Sequence, residues 1–206
     1  MEPEVITACE NVCRDFYWVR PALEILANLA IVSGVVIALI QLKSWRLERR
    51  QIRMAEVAED LLANIYEVQD AFRFIRGSHF QLPPDEAKDK DATIQAVHRR
   101  IQQVSEQFTA LHRSSLRAFA VFGRESLEGP IQVFFDCRSR IQNALEEQFD
   151  HLEDSDFSPE TRKRKVELRR VIFGRYDEND AIAKALDEAK HELEALLLPV
   201  VRLEKS

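Results

Sequence analysis

Two kinds of side chain in this sequence have the chemistry to bind a metal or to cross-link: cysteines, and histidines near acids. Cys9 and Cys13 are four residues apart and could share one helical face, while Cys137 lies far along the chain. Two thiols hold a metal only with ligands from elsewhere. In an oxidising compartment they could cross-link two copies; otherwise they are two unpaired thiols. Cys137 reads as a helix residue with no chemical role. A di-iron bundle needs two Glu-x-x-His pairs and two further inward carboxylates. This chain has one such pair, Glu188 and His191; His98, His112 and His151 have no acid three residues before them. No metal site is expected.

Cations are the next candidates. Arg162, Lys163, Arg164, Lys165, Arg169 and Arg170, with Arg175 after them, oppose Glu167 within one short stretch, and Val166, Val171, Ile172 and Phe173 lie among them. Three readings of this basic helix stay open. It could be a solvated face paired with acids such as Asp150, Glu153 and Asp154. It could touch anionic lipid, at about 1 kcal/mol per nearby cation. It could meet nucleic acid or an acidic partner. The spacing Arg73-x5-His79 resembles the loose Arg-x4-6-His pair of some helical ribonuclease domains. That resemblance implies activation and stabilisation at a scissile phosphate; the residues themselves read as a helix-terminal Arg and a loop His.

There is no Gly-x4-Gly-Lys-Ser/Thr, no Gly-x-Ser-x-Gly and no His-Glu-x-x-His. The five Gly, at 34, 77, 123, 129 and 174, are too dispersed to cradle a phosphate. The chain is not expected to be an enzyme, and no cofactor or small-molecule substrate is expected.

The elements that must carry these residues are helices. Of 206 residues, 5 are Gly and 7 are Pro, where average usage gives about 14 and about 10. Strands and hairpins use both residues heavily. The composition also excludes collagen-like, disordered and disulfide-scaffold classes. A net charge of −6 argues against a general nucleic-acid binder.

Residues 25–42 are uncharged, and Asn28, Ser33 and Gln41 are the polar exceptions in a run that includes Ile25, Leu26, Leu29, Ile31, Val35, Val36, Ile37, Leu39 and Ile40. At about 1.5 Å per residue, residues 23–45 span the hydrocarbon core of a bilayer. Phe16, Tyr17 and Trp18 precede the run and Trp45 follows it, as interfacial aromatics do. Pro21 suits a first helical turn. Lys43, Arg46, Arg49, Arg50 and Arg53 follow against Glu48, whereas residues 1–20 carry four acids and two arginines. Cationic flanks stay cytoplasmic, so the N-terminus is expected outside. The acidic leader does not fit a cleaved signal peptide, and Arg49-Arg50 lie on the wrong side of the apolar run for a twin-arginine signal.

Beyond the span the period is helical throughout. Met54, Ala58, Leu61, Ile65, Val68, Phe72 and Ile75 step by alternate fours and threes. No Gly or Pro lies between Trp45 and Gly77, so the membrane helix is expected to run straight into this one. A second helix from Asp85 or Asp91 carries Ile94, Val97, Ile101, Val104, Phe108 and Leu111, then Leu116, Phe119 and Phe122. A third, with Pro130 in its first turn, carries Ile131, Phe134, Ile141, Leu145 and Leu152, widened by Phe135 and Phe149. After an acidic linker over 150–158, Ser158-Pro159-Glu160 reads as N-cap, N1 proline and N-terminal acid of the basic helix. The last helix, starting between Asp177 and Asp180, carries Ile182, Leu186, Ala189, Leu193, Leu196, Val200 and Leu203, with Pro199 expected to kink or fray its end.

The fold class expected is all-α: residues 1–20 extracytoplasmic, a transmembrane helix over 21–45, and a cytoplasmic up-and-down bundle of four to five helices over 46–206. The stretch Ile65-Tyr66-Glu67-Val68-Gln69-Asp70-Ala71-Phe72-Arg73-Phe74-Ile75-Arg76 resembles a segment of a group of small bacterial membrane proteins of unknown function. So does Arg117-Ala118-Phe119-Ala120-Val121-Phe122-Gly123, followed by Glu125. That resemblance, over roughly residues 20–150, implies a single-pass protein of the bacterial inner membrane with a cytoplasmic helical domain. It carries no activity and no site. The expected partners are the bilayer and a protein, either another chain or a second copy; nucleic acid is not expected. The leading function is a protein-interaction scaffold or subunit. A membrane signal relay or sensor and a nucleic-acid-acting effector are the alternatives.

Overall fold

The computed structural model describes residues 19–77, 92–150, 158–174 and 180–203, and its regular structure there is entirely helical. We number the helices α1 (Val19–Arg76), α2 (Ala92–Gln103), α3 (Ser105–Phe122), α4 (Glu128–Asp150), α5 (Pro159–Ile172) and α6 (Ala181–Val201). Two units are distinguished, Met1–Arg50 and Gln51–Ser206.

The described part of the first unit is the apolar stretch of α1 and its basic flank. Leu23, Leu29, Val35 and Ile40 there are each more than half exposed.

The second unit is a helical bundle whose core follows the apolar seams. Ala58, Leu61, Ile65, Val68, Phe72 and Ile75 of α1 are all 0% exposed, and Met54 is half-buried. Leu62, Gln69, Ala71 and Arg76 are buried beside them. The buried face of α1 is therefore wider than one seam, because helices pack on more than one of its sides. Asp60 meets Arg117 of α3, and the Phe72 ring packs edge-on against Phe108 at 5.4 Å. On another side Tyr66 meets Glu194, Gln69 meets Asp187 and Arg76 meets Asp180, all three pairs with α6 or its cap.

These pairs also fix direction. Both α3 and α6 run antiparallel to α1. Phe135 of α4 lies 6.4 Å from Phe108, and the turn after Phe122 returns the chain so that α4 runs parallel to α1. The path is thus up and down, with α5 and α6 making one descending leg in two pieces. The chain's own signals set several boundaries. Gly123 ends α3 at φ +89°, where its N–H still bonds Phe119 O at 3.1 Å. Ser158 caps α5, its Oγ accepting from Thr161 N at 3.2 Å with Pro159 behind it.

Some expectations are corrected. The second expected helix is two, divided at Val104. Leu116 is 52% exposed, and Ser114, Ser115 and Ala118 are buried instead. Leu116 sits about 140° around the helix from Leu111, whereas Ala118 is back within about 20° of it. Short residues there close the gap, and the two serines satisfy their hydroxyls on Leu111 O and His112 O. Leu196 is 42% exposed and Leu197 1%. The two positions flank the seam evenly by period; burial of Ala183 shows that the packed face is turned towards Leu197. Phe149 and Leu203 are exposed and Val200 is half-buried. Pro199 is inside α6, which ends at Val201. Leu152 lies outside the described residues.

Candidate functional site

The apolar stretch is the first candidate surface. Ile25, Leu26, Leu29, Ile31, Val35, Val36, Ile37, Leu39 and Ile40 are 49% to 65% exposed, and no part of the apolar window is buried against the rest of the chain. It is therefore not a core helix of this bundle. Each such side chain gains about 1.5–3 kcal/mol on leaving water. Ser33 satisfies its hydroxyl within the helix, donating to Ala30 O at 3.0 Å. One helix, α1, is thus long and apolar enough to cross a membrane, by length and composition. Lys43, Arg46, Arg49, Arg50 and Arg53 follow it, all exposed, with the Arg49 guanidinium 4.6 Å from the Trp45 ring centre.

The second candidate is α5. The structure sorts its cations between two sides. Arg164 turns to α4 and meets Glu147 through both carboxylate oxygens, Nε at 2.5 Å and Nη2 at 2.7 Å. Glu147 raises the pKa of Arg164 further, and Glu167 adds to it at 3.7 Å. Lys165 is half-buried. Arg162, Lys163, Arg169 and Arg170 are exposed, as is Val166 at 48%. At about 100° per residue these five fall within about 120° of arc, opposite the buried Leu168 and Ile172. Glu160 and Glu167 lie outside that arc.

A buried ion pair positions α5. Arg76, in the last turn of α1, is 1% exposed. Its Nε donates to Val171 O at 3.1 Å and its Nη2 to Arg170 O at 3.3 Å. Those carbonyls belong to the last turn of α5, where orphan acceptors welcome a cation. Nη2 and Nη1 also reach Asp180 Oδ1 and Oδ2, each at 2.9 Å. Asp180 in turn caps α6, its Oδ1 accepting from Ile182 N at 3.1 Å and Ala183 N at 3.2 Å. One pair thus fastens the ends of three helices. A Cβ on Gly174 would overlap both the Arg76 guanidinium and the Asp180 carboxylate. The sequence reading missed this pair. Its signal was spacing: Gln69 and Arg76 are seven apart, and so are their partners Asp187 and Asp180.

The remaining candidates do not converge. Cys137 is buried, and that burial pushes its thiol pKa up, with Arg140 and Arg76 pulling the other way. Cys9, Cys13 and His79 lie outside the described residues. Arg73 pairs with Asp70 at 2.8 Å. His191 Nδ1 lies 2.6 Å from Asp187 O, and Glu188 faces Lys184 at 3.8 Å. Among the described residues no three His, Cys, Asp or Glu side chains group to hold a metal. A cleft of about 480 Å³ between α2 and α4 is lined by residues that include Ile94, His98, Arg99, Leu145, Glu146 and Phe149. Comparison with protein families, with curated proteins and with solved structures gives no match.

Proposed function

We propose that this chain is a single-pass protein of the bacterial inner membrane, with its N-terminus outside and a cytoplasmic helical bundle that serves as a protein-interaction scaffold or subunit. The observation that carries this reading is the apolar stretch of α1, exposed at every described side chain and followed by five cations. Such a surface in water is far larger than a soluble chain leaves open, and the cations match a cytoplasmic flank. The bundle beyond it offers charged helix faces and no grouped catalytic residues among those described. The test is fractionation with alkaline carbonate, together with a C-terminal fluorescent-protein fusion. The chain is expected in the carbonate-resistant pellet with a fluorescent C-terminus. A soluble pool, or a non-fluorescent fusion of full length, overturns anchor or orientation respectively.

A second reading, a relay, is favoured by one observation: α1 is assigned as one helix from Val19 to Arg76. Three glycines inserted between Arg50 and Gln51 should abolish the output of a relay and leave partner capture by a scaffold intact.

A further inference from the structure

The solvent-facing stripe of α5 is a cationic ridge with an apolar centre. Arg162, Lys163, Arg169 and Arg170 form no ion pair with any described carboxylate, while Arg164, on the other side, is held by Glu147. Val166 lies between the two pairs of cations and is 48% exposed. In a chain with net charge −6 an acid-free stripe of four cations stands apart from its surroundings. The stripe lies at the Arg76 end of the bundle, since the last turn of α5 is bonded to Arg76 and its middle is paired with Glu147, near the far end of α4. Val166 is the one apolar residue of the stripe, too little for a face that inserts among lipids, so a lipid surface is the less favoured occupant. The stripe carries no aromatic side chain on which a base could stack, which disfavours single-stranded nucleic acid.

We propose that this stripe docks an acidic helical segment of a protein partner, with carboxylates set three and four residues either side of an apolar residue that covers Val166. The ridge is convex and one helix wide, which suits a second helix laid along it, and its charges would steer the encounter. The inference rests on the reading of the chain as an interaction subunit.

The test uses full-length protein in nanodiscs of phosphatidylcholine. The probe is a labelled helical peptide whose single leucine is flanked by glutamates three and four residues away on both sides. Binding is read by fluorescence anisotropy, with melting by circular dichroism as the folding control. The combined variant R162Q, K163Q, R169Q and R170Q is expected to weaken binding about 10-fold or more, and Val166→Asp to weaken it as well. Removing the same charge elsewhere, at Arg113, Arg117, Arg140 and Lys184, is expected to change it less than about 2-fold. Equal losses in the two combined variants, or no binding by folded wild-type protein, overturn the proposal. So does tighter binding of phosphatidylglycerol vesicles or a single-stranded oligonucleotide than of the peptide. Failure to enter nanodiscs counts against the anchor alone, and the same titration in detergent then decides the stripe.

Discussion

Asp180→Asn removes the negative charge from the most deeply buried ion pair among the described residues, and with Oδ1 kept as the cap acceptor it sets an amide donor in place of the oxygen that faces Arg76 Nη1. Asparagine has the shape of aspartate and is as good an N-cap, so Ile182 N and Ala183 N keep an acceptor. Arg76 keeps Val171 O and Arg170 O, but its full charge stays in a site that is 1% exposed. Stranding one member of a buried pair costs about 3–5 kcal/mol, because the desolvation of the survivor is no longer offset. For a chain of this size that corresponds to a fall in Tm of about 6–20 °C. The companion Arg76→Met strands Asp180 instead, where two backbone N–H groups still stabilise the carboxylate but Val171 O and Arg170 O lose their donor, so its cost should be of similar size. The double variant removes both charges and should recover at least about 2 kcal/mol of the summed single losses. The assay is urea denaturation of full-length protein in mild detergent, followed by far-ultraviolet circular dichroism. An Asp180→Asn loss below about 1 kcal/mol, or losses that simply add in the double variant, would refute the view that this pair fastens three helix ends.

Other outcomes follow from the packing. Leu197→Ala should cost about 2–5 kcal/mol and Leu196→Ala less than about 1 kcal/mol, by the same denaturation assay, because Leu197 is 1% exposed and Leu196 42%. Gly174→Ala should cost about 1–3 kcal/mol, since its methyl would displace a guanidinium pinned by Asp180 and two carbonyls. Cys137 should resist iodoacetamide at neutral pH until urea unfolds the bundle, as peptide mapping would show; alkylation at the rate of a free thiol would contradict its burial. The same thiol is raised above its ordinary 9.0, so the unfolded chain loses that proton first. Its contribution to stability is full below pH 9.0 and is lost as pH rises through the folded value, and Cys137→Ala should flatten that part of the alkaline decline.

The helices were legible because burial along a helix is periodic, and the period is written in the residues. Every seam position from Ala58 to Ile75 and from Ile94 to Leu111 is buried. What period leaves undecided, neighbours decide. Leu196 and Leu197 flank the seam of α6 evenly, and the choice comes from the tilt that also buries Ala183. The division at Val104 has no Gly or Pro to announce it. The period assigns no role to the polar residues on the buried side of α1, because their partners are more than a hundred residues away. Gln69 with Asp187 and Arg76 with Asp180 are two rungs of one antiparallel ladder, visible only when both helices are laid side by side.

The basic helix shows the same limit from the functional side. Composition marked all six cations of 162–170 alike, and acids such as Asp150, Glu153 and Asp154 were natural candidates to neutralise them. The residue that sorts them is Glu147, three residues before the nearest of those acids and one turn inside α4. It takes Arg164 on the side where Leu168 and Ile172 are buried, and that orientation turns Arg162, Lys163, Arg169 and Arg170 to solvent. Only Leu168 and Ile172 of α5 are buried, and both lie in its second half. That apolar side, with Val171 and Phe173 also packed against the core, holds the helix, and Glu147 on its flank and Arg76 at its end add polar contacts to it. Those contacts occupy one side and one terminus, and they leave the cationic stripe on the opposite side. Breaking the Arg164–Glu147 pair should therefore loosen the orientation of the stripe before it changes its charge. For that reason Glu147→Gln, which leaves every cation of α5 intact, separates presentation from attraction in any binding measurement on this surface.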